Sequence, residues 1–304
     1  MRMRTLGSIA VGLCIALACN AAPVTAATRP AESLLSAPAD PHRASMDTMQ
    51  IPSHGQLLNA LVYVAAGAGP HPAVILLHGF PGNERNLDLA QDIRRAGWDV
   101  LYFNYRGSWG TPGEFSFAHS IEDTAAALAY LRQPEVAKQL RLDPARIVLI
   151  GHSMGGFMAV EAAAADPAIK AFATISAADM AGRFPPSPSA KQMQAMIQKT
   201  SAGLAHEGMA PLSGCTPTGL AQELADHAAT WRFPASVPAL RDRTVLVVTS
   251  DDGLAAANDA FVAALRRAGD SRVTTAHLPT DHAYSDRRIE LSKAVLGWLA
   301  GLPK

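Results

Sequence analysis

Arg146-Ile147-Val148-Leu149-Ile150-Gly151-His152-Ser153-Met154-Gly155-Gly156 carries an apolar run straight into a serine flanked by glycines. Arg146–Ile150 has the length and β-branched content of a buried strand, and Phe157–Ala165 beyond the serine is helix-prone. A serine between the two sits on a sharp, strained turn that projects its hydroxyl from the end of the sheet. Gly151, Gly155 and Gly156 let the helix approach the strand without a Cβ clash. Glycine-rich turns also serve as plain connections in α/β folds, so the chemistry of Ser153 depends on the partners the rest of the chain supplies.

Outward from this stretch, strand-like runs alternate with helix-period segments. Ala73–Leu77 is followed by Asn86–Ala96, Trp98–Tyr105, Ile121–Leu131, Ile147–Ile150, Met154–Ala165 and Ala171–Ile175. The pattern resumes with Val245–Thr249, Ala256–Arg267, Val273–Leu278 and Arg288–Leu299. Such alternation requires crossover connections and predicts an α/β fold with a mainly parallel sheet and helices on both faces. Met49–Ile51 and Leu57–Val64, around His54-Gly55, predict an antiparallel hairpin ahead of it. The interruption at about Ala178–Leu240 contains helical spacing at Lys191–Ala205 and Gly219–Trp231. It lies between sheet strands, where an insertion forms a cap over a ligand cleft. Met193, Met196, Met209 and Trp231 either line that cleft or pack a small satellite core.

The formal net charge of the 304-residue chain is zero, which gives no field to attract nucleic acid or anionic lipid. Met1-Arg2-Met3-Arg4, the apolar Leu6–Ala18 and the small residues up to Ala27 read as an export signal cut after Val24-Thr25-Ala26. Its apolar part is shorter than the ~20 residues needed to span a bilayer. Ala16-Leu17-Ala18-Cys19 leaves lipid attachment as a minor alternative. The expectation is a periplasmic or extracellular protein with a removable segment at 1–26, a loosely ordered lead-in at 27–46 and a single domain at 47–304. Cys14 and Cys19 lie in the removable segment, leaving Cys215 without an internal disulfide partner. The histidines lack metal spacing and there is no phosphate loop or dinucleotide fingerprint, so no metal and no cofactor is expected.

An uncharged serine needs a base within hydrogen-bond reach and a carboxylate that orients the base. His282, in Leu278-Pro279-Thr280-Asp281-His282-Ala283, follows the last predicted strand, and Asp251 and Asp252 follow Thr244–Ser250. All three groups stand at carboxyl ends of strands, one edge of the sheet. A carbonyl attacked by Ser153 needs fixed donors for its oxyanion. The backbone N–H of Met154 is one, and His78-Gly79-Phe80-Pro81-Gly82 offers that of Phe80, since Pro81 has none. Asp281 is expected to support the His282 loop, while His152 and His277 read as structural. Tyr105 and Trp109 are candidate borders of the substrate pocket.

His78-Gly79-Phe80-Pro81-Gly82, Asn104-Tyr105-Arg106-Gly107, Gly151–Gly156, Ser250-Asp251-Asp252 and Thr280-Asp281-His282 together resemble the α/β-hydrolases. The likeness is closest to the bacterial branch related to dienelactone hydrolases and prolyl-oligopeptidase-type catalytic domains, and it covers about Met49 to Leu302. It implies an eight-stranded sheet, Ser153 as nucleophile, Asp252 as acid and His282 as base. Two departures stand out: Ala255 occupies the place of the family's usual valine after the acid, and dienelactone hydrolases use cysteine where this chain has Ser153. The resemblance implies an exported serine hydrolase acting on a small-molecule ester or short peptide. Alternatives are a peptidase of the prolyl-oligopeptidase type, which an acidic side chain in the cleft would favour, an acyltransferase, and a catalytically silent binding protein. Residues 27–46 are too few for the amino-terminal propeller such peptidases commonly carry.

Overall fold

The computed structural model describes residues 40–185, 187–269 and 272–302. The expected export signal and most of the lead-in lie outside the described residues. Strands β1 (Ser45–Ser53) and β2 (Gln56–Val64) form the hairpin expected around His54-Gly55. Ser45 and Met46, placed in the lead-in from sequence, belong to this sheet, because they pair with Val64 and Tyr63.

The alternating part follows as β3 (His71–Leu77), α1 (Leu87–Arg95), β4 (Asp99–Phe103), α2 (Phe117–Leu131), α3 (Pro134–Leu140), β5 (Leu142–His152), α4 (Met154–Ala165) and β6 (Ala171–Ile175). After it come α5 (Ala190–Glu207), α6 (Pro217–Asp226), α7 (Phe233–Ser236), β7 (Thr244–Thr249), α8 (Ala255–Arg267), β8 (Val273–His277) and α9 (Arg288–Ala300). One eight-stranded sheet results, in the order β1-β2-β4-β3-β5-β6-β7-β8. The β1·β2 and β2·β4 pairs are antiparallel and all later pairs are parallel.

Central parallel strands are covered on both faces and therefore read as continuous apolar runs. In β3, Ala73, Ile75 and Leu77 join the core shared with α2, α4 and α8. Val74 and Leu76 face the opposite core, with Leu89 and Ile93 of α1 and Leu291, Val295 and Trp298 of α9. Because the strands from β3 onward are parallel, their carboxyl ends share one edge, and the loops after β3, β5, β7 and β8 all emerge there.

Two carboxylates, buried Asp123 and half-buried Glu223, brace that edge. Arg106, in the loop after β4, donates through Nε to Asp123 Oδ1 of α2 at 2.6 Å, and its backbone N–H donates to Asp123 Oδ2 at 2.7 Å. Glu223 of α6 accepts the N–H groups of Phe117 and Ala118 at 3.0 and 2.9 Å, which ties the insertion to the start of α2. A carboxylate there satisfies orphan amide donors and opposes the positive end of the helix dipole, worth about 0.3–1 kcal/mol. The segment between β6 and β7 forms a cap of α5, α6 and α7 with a 3₁₀ turn at Val237–Leu240. Ser189 opens α5 with a reciprocal capping box to Gln192. Among the described residues no helix is long and apolar enough to cross a membrane.

Candidate active site

Ser153 stands between β5 and α4 with φ 57° and ψ −120°, a conformation that costs a non-glycine residue about 1–3 kcal/mol. The surrounding backbone holds it there. Its N–H donates to the Ile175 carbonyl at 2.9 Å, and its own carbonyl accepts from Gly156 and Ala178 at 3.0 Å each. A Cβ on Gly155 would lie 2.1 Å from the Leu77 carbonyl oxygen, so only glycine lets α4 pass this close to β3. Gly79 has an analogous role on the other side: a Cβ there would come within 2.9 Å of Ser153 Cβ. The loop after β3 is thereby laid directly against the serine.

His282 and Asp252 meet at the same edge. The His282 Nδ1 lies 2.7 Å from Asp252 Oδ2, with the carboxylate side chain 3% exposed and the imidazole 42% exposed. A carboxylate only accepts, so Nδ1 carries a proton, and the neutral form of the ring then has its lone pair on Nε2. Burial pushes the Asp252 carboxyl up, but hydrogen bonds from His282, Ser176, the Leu254 N–H and Ser250 outweigh it and hold the group below its ordinary range. Asp251 is exposed and pairs instead with His277 Nε2 at 3.2 Å. Asp281 braces the His282 loop, its carboxylate accepting the Ser285 N–H at 2.9 Å and its carbonyl the Tyr284 N–H at 3.1 Å.

Ser153, Asp252 and His282 line one cavity of about 490 Å³ together with Phe80 and Met154. The cap closes its far wall with Met180, Leu204 and Leu224. Glu84, Arg183 and Glu207 bring charge to the same cleft. Glu84 is engaged locally with the Asn86 N–H, whereas burial pushes the Glu207 carboxyl up against the opposing pull of His282, Arg183 and His206. A second groove of about 660 Å³, lined by Gln50, Asn59, Arg85, Tyr102 and Asn104 among others, contains none of the three residues and is a separate feature.

Tyr105 and Trp109 do not border the cavity, contrary to the sequence-based expectation. Tyr105 is fully buried, and its hydroxyl donates to the His78 carbonyl at 3.3 Å. Trp109 donates its indole N–H to the Pro81 carbonyl at 2.8 Å, and its ring lies under the Arg85 guanidinium, 4.2 Å from the centroid. Tyr105 thus holds His78 at the start of this loop and Trp109 holds Pro81 within it. The methionines also resolve: Met193, Met196 and Met209 pack against the core, and buried Trp231 stacks on His227 at 3.8 Å.

His152 has a contact that sequence gave no sign of. Its Nε2 lies 2.8 Å from the His282 carbonyl oxygen, and the two rings stand 4.7 Å apart. Burial and neighbouring His282 lower its pKa to about 4. Among the described residues no cluster of three His, Cys, Asp or Glu side chains is placed to hold a metal. Cys215 is a free, half-buried thiol whose pKa burial pushes up.

A family model described as the alpha/beta hydrolase fold matches residues 72–264, and the chain belongs to that family. An uncharacterized protein of Mycobacterium tuberculosis is 33% identical over 125 residues, which are 41% of this chain and 43% of the relative. The match thus spans less than half the length of that relative. Among solved structures, the thermostable carboxylesterase EstE1 from a metagenomic library superposes with a TM-score of 0.60 at 21% identity, covering 86% of this chain and 90% of that one. An esterase of Pyrococcus furiosus gives a TM-score of 0.59 at 17% identity over 84% and 91% of the two chains. At such identities the likeness is one of fold.

Proposed function

We propose that this protein is a serine hydrolase that cleaves carboxylic esters of small molecules through an acyl-enzyme intermediate. The observation that carries the proposal is the Asp252–His282 bond of 2.7 Å in a cavity that also receives Ser153 from a strained turn. With Nδ1 protonated and bonded to Asp252, His282 Nε2 accepts the Ser153 proton as Oγ attacks the ester carbonyl. The oxyanion is bound by the backbone N–H groups of Met154 and Phe80. Loss of one such donor costs about 3 kcal/mol of transition-state stabilisation. Collapse expels the alcohol with the proton from His282. A water deprotonated by His282 then attacks the acyl-serine, and the acid leaves as Ser153 regains its proton. Fold neighbours that are a carboxylesterase and an esterase support this choice of substrate.

Glu207 favours one second reading, amide cleavage by a peptidase of prolyl-oligopeptidase type, because it brings a carboxylate to the cleft wall where a substrate amino group would dock. A panel of p-nitrophenyl esters of increasing chain length beside aminoacyl p-nitroanilides, run on wild type and Ser153→Ala, separates the two. Ester turnover that disappears in Ser153→Ala is expected. Anilide cleavage far above ester cleavage would establish the peptidase instead. Export remains part of the proposal on the strength of the Met1–Ala26 pattern, and amino-terminal sequencing of protein recovered outside the cytoplasm would read Ala27 first.

A further inference from the structure

We infer that His152 is a positioning residue: it anchors the backbone of the base, His282, to the strand end that presents the nucleophile, Ser153. This inference rests on the hydrolase reading above. His152 is the last residue of β5 and the immediate neighbour of Ser153, and its side chain is buried. The His282 carbonyl can only accept, so the 2.8 Å contact fixes the proton on His152 Nε2. Its Nδ1 is buried with no hydrogen-bond partner among the described residues, so a proton moved there would cost the Nε2 bond and gain no acceptor in exchange.

The need for such an anchor follows from the exposure of the base. The His282 side chain is 42% exposed, so packing alone does not fix its ring. The Asp252 bond orients Nδ1, and how closely Nε2 can approach Ser153 then depends on where the loop backbone sits. Arg288 holds the next residue, donating to the Ala283 carbonyl at 2.9 Å, but it reaches from α9 and is not tied to the nucleophile. His152 joins the two reacting residues through a single peptide unit and one hydrogen bond. Its depressed pKa keeps the ring neutral, so that the imidazolium formed 4.7 Å away during attack meets no like charge from it.

The test compares His152→Phe, which keeps a flat ring and loses the donor, with His152→Gln, whose side-chain amide restores an N–H. On a p-nitrophenyl ester, His152→Phe should lower kcat about 10- to 100-fold with KM within about twofold, since misplacement of a reacting group acts on the transition state. His152→Gln should return to within about fivefold of wild type. Equal impairment of the two variants, or a loss carried by KM, would overturn the inference. Nitrogen-15 NMR of wild-type imidazoles adds a readout independent of turnover and of variant folding. A neutral His152 protonated at Nε2 is expected, and protonation at Nδ1 would overturn the assignment. Wild type inert toward esters and phosphonate probes would sink the hydrolase reading, whereas an active wild type with an unaffected His152→Phe would sink this inference alone.

Discussion

At the scale of single residues, the division of labour between Asp251 and Asp252 is set by which histidine each one meets. The two are adjacent in a loop, but Asp252 turns inward to His282 with 3% of its side chain exposed, while Asp251 faces solvent and His277. Asp252→Asn should therefore reduce kcat by orders of magnitude, about 10⁴-fold by analogy with other triads, because the amide favours the wrong imidazole tautomer. Asp251→Asn should change it less than about threefold, as an exposed pair contributes little. Steady-state kinetics of both variants check this, and the reverse ranking would transfer the role. Of the residues named from sequence, Ser153, Asp252, His282, Phe80 and Met154 share one cavity because each sits at a motif with a fixed place in the fold. Tyr105 and Trp109 were misplaced because proximity to a motif says nothing of which way an aromatic ring turns. The His152 contact was illegible for a related reason: it joins residues 130 apart in sequence through a side chain and a carbonyl.

At the scale of elements, regular strands and helices in the alternating part were legible because their apolar periodicity is local. Strands β3, β4, β6, β7 and β8 match predicted segments to within about two residues, β5 extends past its predicted Ile147–Ile150 run to Leu142–His152, and α8 and α9 begin within a residue of expectation. The misses have tertiary causes. Helix α2 starts at Phe117 rather than Ile121 because the Ser116 hydroxyl and the distant Glu223 carboxylate satisfy its first N–H groups. The helix predicted to run to Trp231 stops at Asp226, after which His227 and Trp231 stack across the turn. Helix α3 was not anticipated; it spans only Pro134–Leu140, with proline in its first turn. In the cap, methionines at helical spacing were compatible with either a cleft wall or a core, and packing settled on the core.

At the scale of the whole molecule, two buried histidines link stability to pH. Burial, the larger cause in both cases, lowers His78 and His152 from 6.5 to about 4. Between those values the unfolded chain binds protons that the folded chain refuses, so stability is full above pH 6.5 and falls as pH drops toward 4. The loss should be on the order of a few kcal/mol across the window. Urea denaturation at pH 7 and pH 4.5 checks this, with a lower midpoint expected at pH 4.5. A midpoint that stays level or rises on acidification would contradict it.

In the proposed hydrolase, His282 and Asp252 make Ser153 nucleophilic. The site and rate of modification by a fluorophosphonate probe, read by intact-protein and peptide mass spectrometry, test this without any choice of substrate. One adduct per chain on Ser153 is predicted, formed far more slowly in His282→Ala and Asp252→Asn. An unmodified wild-type protein, or an adduct on another residue that forms equally fast in all three, would contradict the account.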